Sequence, residues 1–334
     1  MRRYELVADR GLDHLQTVER DQPTPGPGEV LVRVRATSLN FHDYIVVMGW
    51  FPADQGRIPM SDGAGEVVAV GEGVSEFQPG DRVISTYFAN WLDGPVAAQK
   101  VAKMRGDQVD GFAAEFVARP ASDFTLAPSG MSFEQAATLP CAGVTAWRAL
   151  MVEAQIKPGD VVLVEGSGGV SIFALQFARM AGATVIATTS SEAKAQKLRD
   201  LGAAHVINYS ETPEWGKEAV RLTGGRGVDV VIEVVGGEGI VQSIAAMATG
   251  GTIVLIGALS RKPLQFAMLG VLNKNVRLQG ITVGSRREQQ EMVTAIEVNG
   301  IQPVVSDVFA FDQLADAFRH QEAHGHFGKI CVSI

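Results

Sequence analysis

The run Val164-Glu165-Gly166-Ser167-Gly168-Gly169-Val170-Ser171 places three glycines in a turn-sized segment. A β-branched run, Val161-Val162-Leu163-Val164, precedes it, and an apolar-periodic stretch from about Val170 to Ala181 follows. A Gly-x-Gly-x-x-Gly turn between a strand and a helix has a defined use. Its backbone approaches a pyrophosphate, which rests on the uncapped N–H groups of the helix start. Gly166 makes the tight turn, Gly168 allows the close approach, and Ser167, Gly169 and Val170 complete the loop. Ser171 stands at the third motif position, where glycine is usual. Its small side chain still permits close packing of helix on strand. A bare Gly-rich turn without ligand is the alternative, and the strand–turn–helix context argues against it.

The residues after the next strand bear on which dinucleotide fits. An NAD site usually places Asp or Glu there for the ribose hydroxyls. This chain has Thr188-Thr189-Ser190-Ser191, with Lys194 two residues beyond the first acid, Glu192. Small hydroxyls and a lysine suit a 2′-phosphate through hydrogen bonds and charge. NADPH is the cofactor expected. The competing reading makes Ser190 a helix cap and Lys194 a solvated surface residue.

These residues need a frame, and the pattern supplies one. From about residue 160 onward, strand-like runs at Thr184–Thr188, Val206–Ile207, Val228–Val234, Thr252–Ile256 and Val276–Val283 alternate with helical patterns. Continuous apolar strands separated by helices predict a parallel sheet buried on both faces. Before about residue 120 the chain is β-rich and irregular, with turn clusters such as Pro79-Gly80-Asp81. Ser132-Phe133-Glu134-Gln135 reads as a capping box opening a helix. Beyond about residue 286, a helix (Arg286 to Val298), a strand at Val304-Val305, a helix from Phe311 to His320 and a last strand, Ile330 to Val332, are expected.

Composition narrows the function. The chain has 334 residues, a formal net charge of −8 and two cysteines, Cys141 and Cys331. That length predicts two domains and a core that needs no staple. The acidic balance, without a Lys/Arg run, argues against a nucleic-acid surface. Two cysteines exclude a disulfide framework and a four-cysteine zinc lobe, and a reduced, cytoplasmic setting is the expectation. The N-terminal residues have no apolar signal core. The charge-free stretch Gly239 to Ser260 is long enough to resemble a membrane span, but Thr249-Gly250-Gly251 interrupts it. A buried helix, a turn and a strand are expected there instead, and no membrane association. His320, His324 and His326 lie close together, yet only Glu322 is near. The following Gly325 marks a helix C-terminus, where histidine is favourable without a metal.

Five segments in order give a resemblance that runs nearly end to end. They are Asn40-Phe41-His42-Asp43, Ser61-Asp62-Gly63-Ala64-Gly65, Gly80-Asp81-Arg82-Val83, Leu139-Pro140-Cys141-Ala142-Gly143-Val144-Thr145-Ala146 and the Gly-rich loop. Together they resemble the medium-chain dehydrogenase/reductase superfamily. The resemblance implies an α/β fold: a GroES-like β-rich catalytic domain (residues 1–130 and 286–334) and an inserted Rossmann domain with a parallel sheet (131–285). It also implies where zinc ligands would stand. Those positions hold Asn40, Ser61, Asp62 and Cys141, and a catalytic zinc usually needs three protein ligands. No metal is expected, and Cys141 reads as a small, buried apolar residue. The chain is similar to the zinc-free branch, the NADPH:quinone oxidoreductases and related enone reductases. In that branch Ser190, Lys194 and Tyr209 would hold the 2′-phosphate. Thr145 and Gly257 would line the nicotinamide half.

The resemblance implies the chemistry too. Hydride addition to a quinone or α,β-unsaturated carbonyl needs a shaped pocket, a donor and a proton, but no Lewis acid. Asn40 would donate its amide to a substrate oxygen or hold the nicotinamide. His42, at the proton-relay position, would deliver the proton, or else only bond the cofactor ribose or Asp43. Trp50, Phe51, Tyr87, Phe88 and Trp91 would line an aromatic slot for a small, flat substrate, or simply fill core. The tyrosine and arginine that the quinone branch often carries near Phe51 and Val47 are missing. A zinc-free alcohol dehydrogenase or carbonyl reductase, an enoyl-thioester reductase with a basic patch at Lys100, Lys103 and Arg105, and a non-catalytic NADPH-binding protein are the other readings. A homodimer is implied by resemblance alone.

Overall fold

The computed structural model describes residues 1–334 and divides into two compact units. One comprises Met1–Val144 with Gly284–Ile334, the other Thr145–Val283. The expected boundary at residue 130 moves to Val144. The helix opened by Ser132, Phe133–Ala137, packs on strands Glu29–Ser38, Ala64–Val70 and Lys329–Ser333, so it belongs to the first unit. The capping box is present as the sequence predicts: the Ser132 hydroxyl accepts from the Gln135 N–H at 3.1 Å.

The second unit is a six-stranded sheet in the order His205–Asn208, Thr184–Thr189, Val161–Glu165, Val228–Glu233, Met247–Leu255, Arg277–Gly280. Every pairing is parallel. The central strands are buried on both faces, as their continuous Val/Ile/Leu runs require. All six strands therefore end at one edge of the sheet. Gly166, Ser190, Tyr209, Val234 and Ile256 each follow a strand terminus there, the edge where α/β sheets take ligands. The Gly239–Ser260 stretch folds differently in detail from the expectation. A helix covers Ile240–Ala246, but the strand already begins at Met247 and runs through Thr249-Gly250-Gly251. The pairing passes from Val228–Met247 directly to Val230–Thr252, so Ala248–Gly251 loop out with Gly250 at φ +81°, and the regular ladder starts at Thr252, after the expected turn residues. No helix is long and apolar enough to cross a membrane.

The first unit is a seven-stranded sheet in the order Val305–Ala310, Lys329–Ser333, Glu29–Ser38, Ala64–Val70, Arg82–Ser85, Phe124–Leu126, with Phe116–Pro120 also paired to Glu29–Ser38. Its pairings are antiparallel except that of Val305–Ala310 with Lys329–Ser333. The final strand lies against the third from the chain start, with Cys331 opposite Ser38. That pairing carries Lys329 to the residues around Asn40. Cys331 is buried, its thiol is pushed up to about 12 by burial, and it donates to the Glu134 carbonyl at 3.3 Å. It is an inert core residue.

Candidate active site

The Gly-rich loop has the geometry its sequence predicts. Gly166 adopts φ +71°, a left-handed conformation that favours glycine. Gly168 is more telling. Its φ of −77° suits any residue, and a Cβ built on it meets no heavy atom within 4 Å. The fold itself does not demand glycine at 168, so the open space above it is room for a ligand. The helix Gly169–Met180 starts beneath that space with no side-chain cap on its first N–H groups. Ser171, at the third motif position, is buried and donates its hydroxyl to the Glu165 carbonyl at 2.6 Å. The departure from glycine thus ties the helix to the strand before the loop.

Ser190, Lys194 and Tyr209 come together at the same edge. Thr189 pairs with Asn208 in parallel register, and the Tyr209 N–H donates to the Thr189 carbonyl at 3.0 Å. The cap of helix Glu192–Asp200 is Ser191, whose hydroxyl accepts from the Lys194 N–H, so Ser190 is not spent as a cap. Ser190 and Tyr209 are exposed. Partial burial, then the charge of Lys197, pull the Lys194 ammonium down from its ordinary value. An anion placed here would favour the charged form of Lys194. Thr145 is buried at the start of this unit. Gly257 has no room for a side chain: a Cβ would lie 2.3 Å from the Val234 carbonyl oxygen.

In the first unit, Asn40 caps helix Phe41–Val47 and its amide is fully engaged. Nδ2 donates to Ser61 Oγ at 3.1 Å and to Asp62 Oδ2 at 2.8 Å, and Oδ1 accepts from Lys329 Nζ at 2.5 Å. No amide proton is left for a substrate, so the donor role expected of Asn40 does not fit this geometry. Lys329 also donates to the Leu39 carbonyl at 2.5 Å and lies 3.6 Å from Asp62 Oδ2. Asp62 is fully buried, and burial outweighs the Lys329 charge to raise its carboxyl to about 6. The four positions that resemblance assigns to zinc ligands thus hold one thiol, one hydroxyl, an engaged amide and a carboxylate already facing an ammonium, and the thiol of Cys141, expected to be buried, is only half-buried. That donor set does not fit a zinc ion.

His42 sits beside this cluster. Its Nε2 is 3.1 Å from Asp107 Oδ2 and its Nδ1 is 4.0 Å from Asp43 Oδ1. Nδ1 is buried and makes no hydrogen bond within the chain. The ring edges of Phe51 and Tyr87 flank it at centroid distances of 5.7 and 5.8 Å. Asp43 is itself fixed, accepting from the Asn40 N–H at 3.0 Å and the Ser61 N–H at 2.7 Å.

The aromatic slot is only partly realised. Phe51 and Tyr87 meet His42, and Trp50 is half exposed, edge-on to Tyr44. Phe88 and Trp91 are 2% and 1% exposed and pack on each other, with the indole N–H donating to the Gly94 carbonyl. They are core and offer no surface to a substrate. The basic patch is only partly present, with Lys103 exposed. Arg105 is buried and paired with Asp123 at 2.6 Å, and Lys100 donates to the Asp93 and Pro95 carbonyls. His320 pairs with Asp307 at 3.0 Å, and no group of three His, Cys, Asp or Glu side chains is placed to hold a metal. Sequence reasoning missed Lys329 and Asp107. Neither carries a local motif: strand pairing brings Lys329 to Asn40, and a turn brings Asp107 to His42.

Residues 26–129 match the alcohol dehydrogenase GroES-like domain and residues 169–298 match the zinc-binding dehydrogenase domain. A zinc-type alcohol dehydrogenase-like protein of Schizosaccharomyces pombe is 43% identical over 97% of this chain and 96% of its own length. The chain belongs to the medium-chain dehydrogenase/reductase superfamily. As a member of that superfamily it is an oxidoreductase. Two solved structures agree over the whole chain. A putative alcohol dehydrogenase from Sinorhizobium meliloti has a TM-score of 0.94 at 38% identity, covering 100% of this chain and 98% of that one. An NAD-dependent alcohol dehydrogenase has a TM-score of 0.93 at 33% identity, covering 100% of both chains. The GroES-like and Rossmann architecture expected from the motifs is the superfamily's own.

The electrostatics of this oxidoreductase's histidine can be tested directly. Burial pulls the His42 imidazolium down, but the Asp107 hydrogen bond and the charges of Asp43, Asp107 and Asp62 outweigh it, so its pKa lies above 6.5. Protonated His42 then stabilises the fold fully below its unfolded value of about 6.5, and that contribution is lost as pH rises through the folded value. Asp107→Asn should lower the His42 midpoint in an NMR titration. An unmoved midpoint would show that Asp107 does not set its charge.

Proposed function

We propose that this chain is a metal-independent reductase that transfers hydride from NADPH to a quinone or an α,β-unsaturated carbonyl. The observation that carries the metal-free part is Lys329. Its ammonium sits among Asn40 Oδ1, the Leu39 carbonyl and Asp62, where a second cation would meet direct repulsion. The nicotinamide supplies the hydride when bound. Gly166, Ser167, Gly168, Gly169 and Val170 would hold the pyrophosphate, and Thr145 and Gly257 the nicotinamide half. His42, whose protonated form Asp107 favours, would give its proton to the enolate or phenolate that develops on the substrate. Phe51 and Trp50 supply apolar surface for a flat substrate. A conjugated acceptor suits this set, because reduction needs a proton donor and no Lewis acid.

A second reading, interconversion of an alcohol and a carbonyl, is favoured by the alcohol dehydrogenase relatives. Oxidation of an alcohol needs a base, which a protonated His42 is not until pH exceeds its raised pKa. The enoyl-thioester reading keeps Lys103 exposed but loses Arg105 from its expected entry patch. After exhaustive dialysis against a chelator, the protein should hold well under one zinc per chain and still consume NADPH with enones or quinones. Stoichiometric retained zinc, or activity that returns only with added zinc, would refute the metal-free assignment.

Cofactor preference follows from the rim. Ser190 is released from capping, Tyr209 is exposed beside it, and no carboxylate follows strand Thr184–Thr189 until Glu192. Calorimetry should give tighter binding of NADPH than of NADH. Lys194→Ala should cut NADPH affinity by about tenfold, the scale of one charge-assisted phosphate contact, and leave NADH almost unchanged. Equal affinities for the two cofactors in the wild type would reject the assignment.

A second copy of the chain is the partner we propose. Strand Arg277–Gly280 is an unpaired sheet edge, and the helix before it, Met268–Lys274, exposes Met268, Leu269 and Leu272 at 70, 67 and 57%. An open edge beside an apolar face is a surface that soluble proteins usually cover. Light scattering should give twice the chain mass, and Leu269→Glu with Leu272→Glu should return it to one. A monomeric wild type would remove this proposal.

A further inference from the structure

The second unit buries two carboxylic acids that the hydride chemistry does not use. Glu165 ends strand Val161–Glu165 and Glu233 ends its neighbour Val228–Glu233, one step beyond the pair Val164 and Ile232. They are 3% and 0% exposed. Ser243, from helix Ile240–Ala246, places its hydroxyl 3.1 Å from Glu165 Oε1 and 2.6 Å from Glu233 Oε2. One hydroxyl proton can satisfy only one of them. Two adjacent carboxylates out of water do not both ionise. The remaining groups around the pair are uncharged: Thr188 is the strand neighbour of Glu165 and Leu255 that of Glu233. No cation compensates a second negative charge, so the pair keeps one proton. It resides on Glu165, which burial, then the Glu233 charge and hydrogen bond, hold well above the ordinary carboxyl value.

The carboxyl oxygens grip one turn. Glu165 Oε2 accepts from the Val234 N–H at 3.2 Å, and Glu233 Oε1 accepts from the Val235 and Gly236 N–H groups at 3.0 and 2.8 Å. With its N–H groups drawn inward, the turn offers its carbonyls to the next strand's exit. Val234 O accepts from Leu259 N at 3.4 Å, Val235 O from Ser260 N at 2.9 Å, and Glu233 O from Ile256 N at 2.9 Å. Gly257 lies in that docked segment, with no room for a Cβ against Val234.

We infer that Glu165, Glu233 and Ser243 form a proton-sharing clamp that positions the Val234–Gly236 turn and, through it, the Ile256–Ser260 segment of the cofactor site. They are positioning residues. The assignment of that segment to the nicotinamide half rests on the proposed function above. Glu165 also touches the loop side of the site, since Gly166 follows it and its carbonyl holds Ser171. Loss of the shared proton would put two like charges under the Val234–Gly236 turn and loosen it.

Three variants separate the clamp from general damage. Glu165→Gln keeps a neutral donor of the same shape, Glu165→Ala removes it, and Ser243→Ala removes the bridge. In the cofactor-free protein, amide exchange at Val234, Val235 and Gly236 should be slow in the wild type and in Glu165→Gln. It should be at least about tenfold faster in Glu165→Ala, the scale of a lost buried hydrogen bond. Glu165→Ala should weaken NADPH by a similar factor while leaving the adenosine bisphosphate fragment of NADPH unaffected. Wild-type NADPH affinity should fall as rising pH removes the shared proton, and Glu165→Gln should abolish that fall. Wild-type exchange at the three amides in Glu165→Ala, or equal weakening of NADPH and the fragment, would overturn the clamp. If Glu165→Ala does not fold, a Glu165→Gln affinity that follows the wild-type pH profile overturns it instead. A wild type that binds neither NADPH nor the fragment defeats the cofactor assignment, and amide exchange then decides the clamp alone.

Discussion

The ammonium of Lys329 is the charge around which the first unit's polar interior is built. An isolated ammonium out of water costs several kcal/mol after relaxation. Here it is met by two oxygens at 2.5 Å and by the Asp62 carboxylate. Each partner is in turn held. Asn40 gives its amide protons to Ser61 and Asp62, Ser38 donates to Asp62 at 2.7 Å, and Ser61 and Asn40 present their backbone N–H groups to Asp43. Asp43 then stands beside His42. Removing the ammonium would leave Asp62 buried without a cation and Asn40 without a donor. A single charge on the last strand therefore fixes the start of helix Phe41–Val47 and the orientation of His42.

That dependence explains why the first unit must include the chain's C-terminal segment. Strand Lys329–Ser333 is held by antiparallel pairing to Glu29–Ser38, with Val332 opposite Thr37. Thr37 also donates to the Asp62 carbonyl at 2.6 Å. Register, not local sequence, sets the distance from Lys329 to Asn40. A slip of one residue in that pairing would turn every side chain of the strand to the opposite face and take the ammonium out of the cluster.

What was legible in the residues follows from range. The Gly-rich loop, the parallel strands and the Ser132 capping box depend on neighbours within a few positions, and the structure holds each of them. The strand from Met247 starts earlier than its pattern suggests, because Met247 makes one pairing with Val228 before Ala248–Gly251 loop out and the ladder resumes at Thr252. The aromatics illustrate the opposite limit. Trp50, Phe51, Phe88 and Trp91 have the same pocket-lining chemistry in sequence. Burial of Phe88 and Trp91 is decided by the loop that packs them, with Trp91 accepting from the Arg286 N–H across nearly two hundred residues. Lys329, Asp107 and the Glu165–Glu233 pair are long-range in the same way. Glu165 does carry one hint, since an acid directly before a phosphate-binding turn contradicts the charge of its expected ligand.

That contradiction has a physical resolution. A carboxylate beneath a loop proposed to hold a pyrophosphate would oppose binding, and in a poorly screened interior the opposition would be several times that in water. A carboxylic acid would not. By setting Glu165 against Glu233, the fold makes ionisation of both prohibitively unfavourable and keeps the acid nearest the loop neutral. The Glu233 carboxyl oxygens are covered by three donors: the Val235 and Gly236 N–H groups and Ser243. The second unit thus neutralises its buried acid with a like charge and backbone dipoles, whereas the first satisfies its buried acid with an ammonium. Both devices leave an interior with one net formal charge or none. In both, the shape of a loop depends on a protonation state that no neighbouring residue in sequence could set.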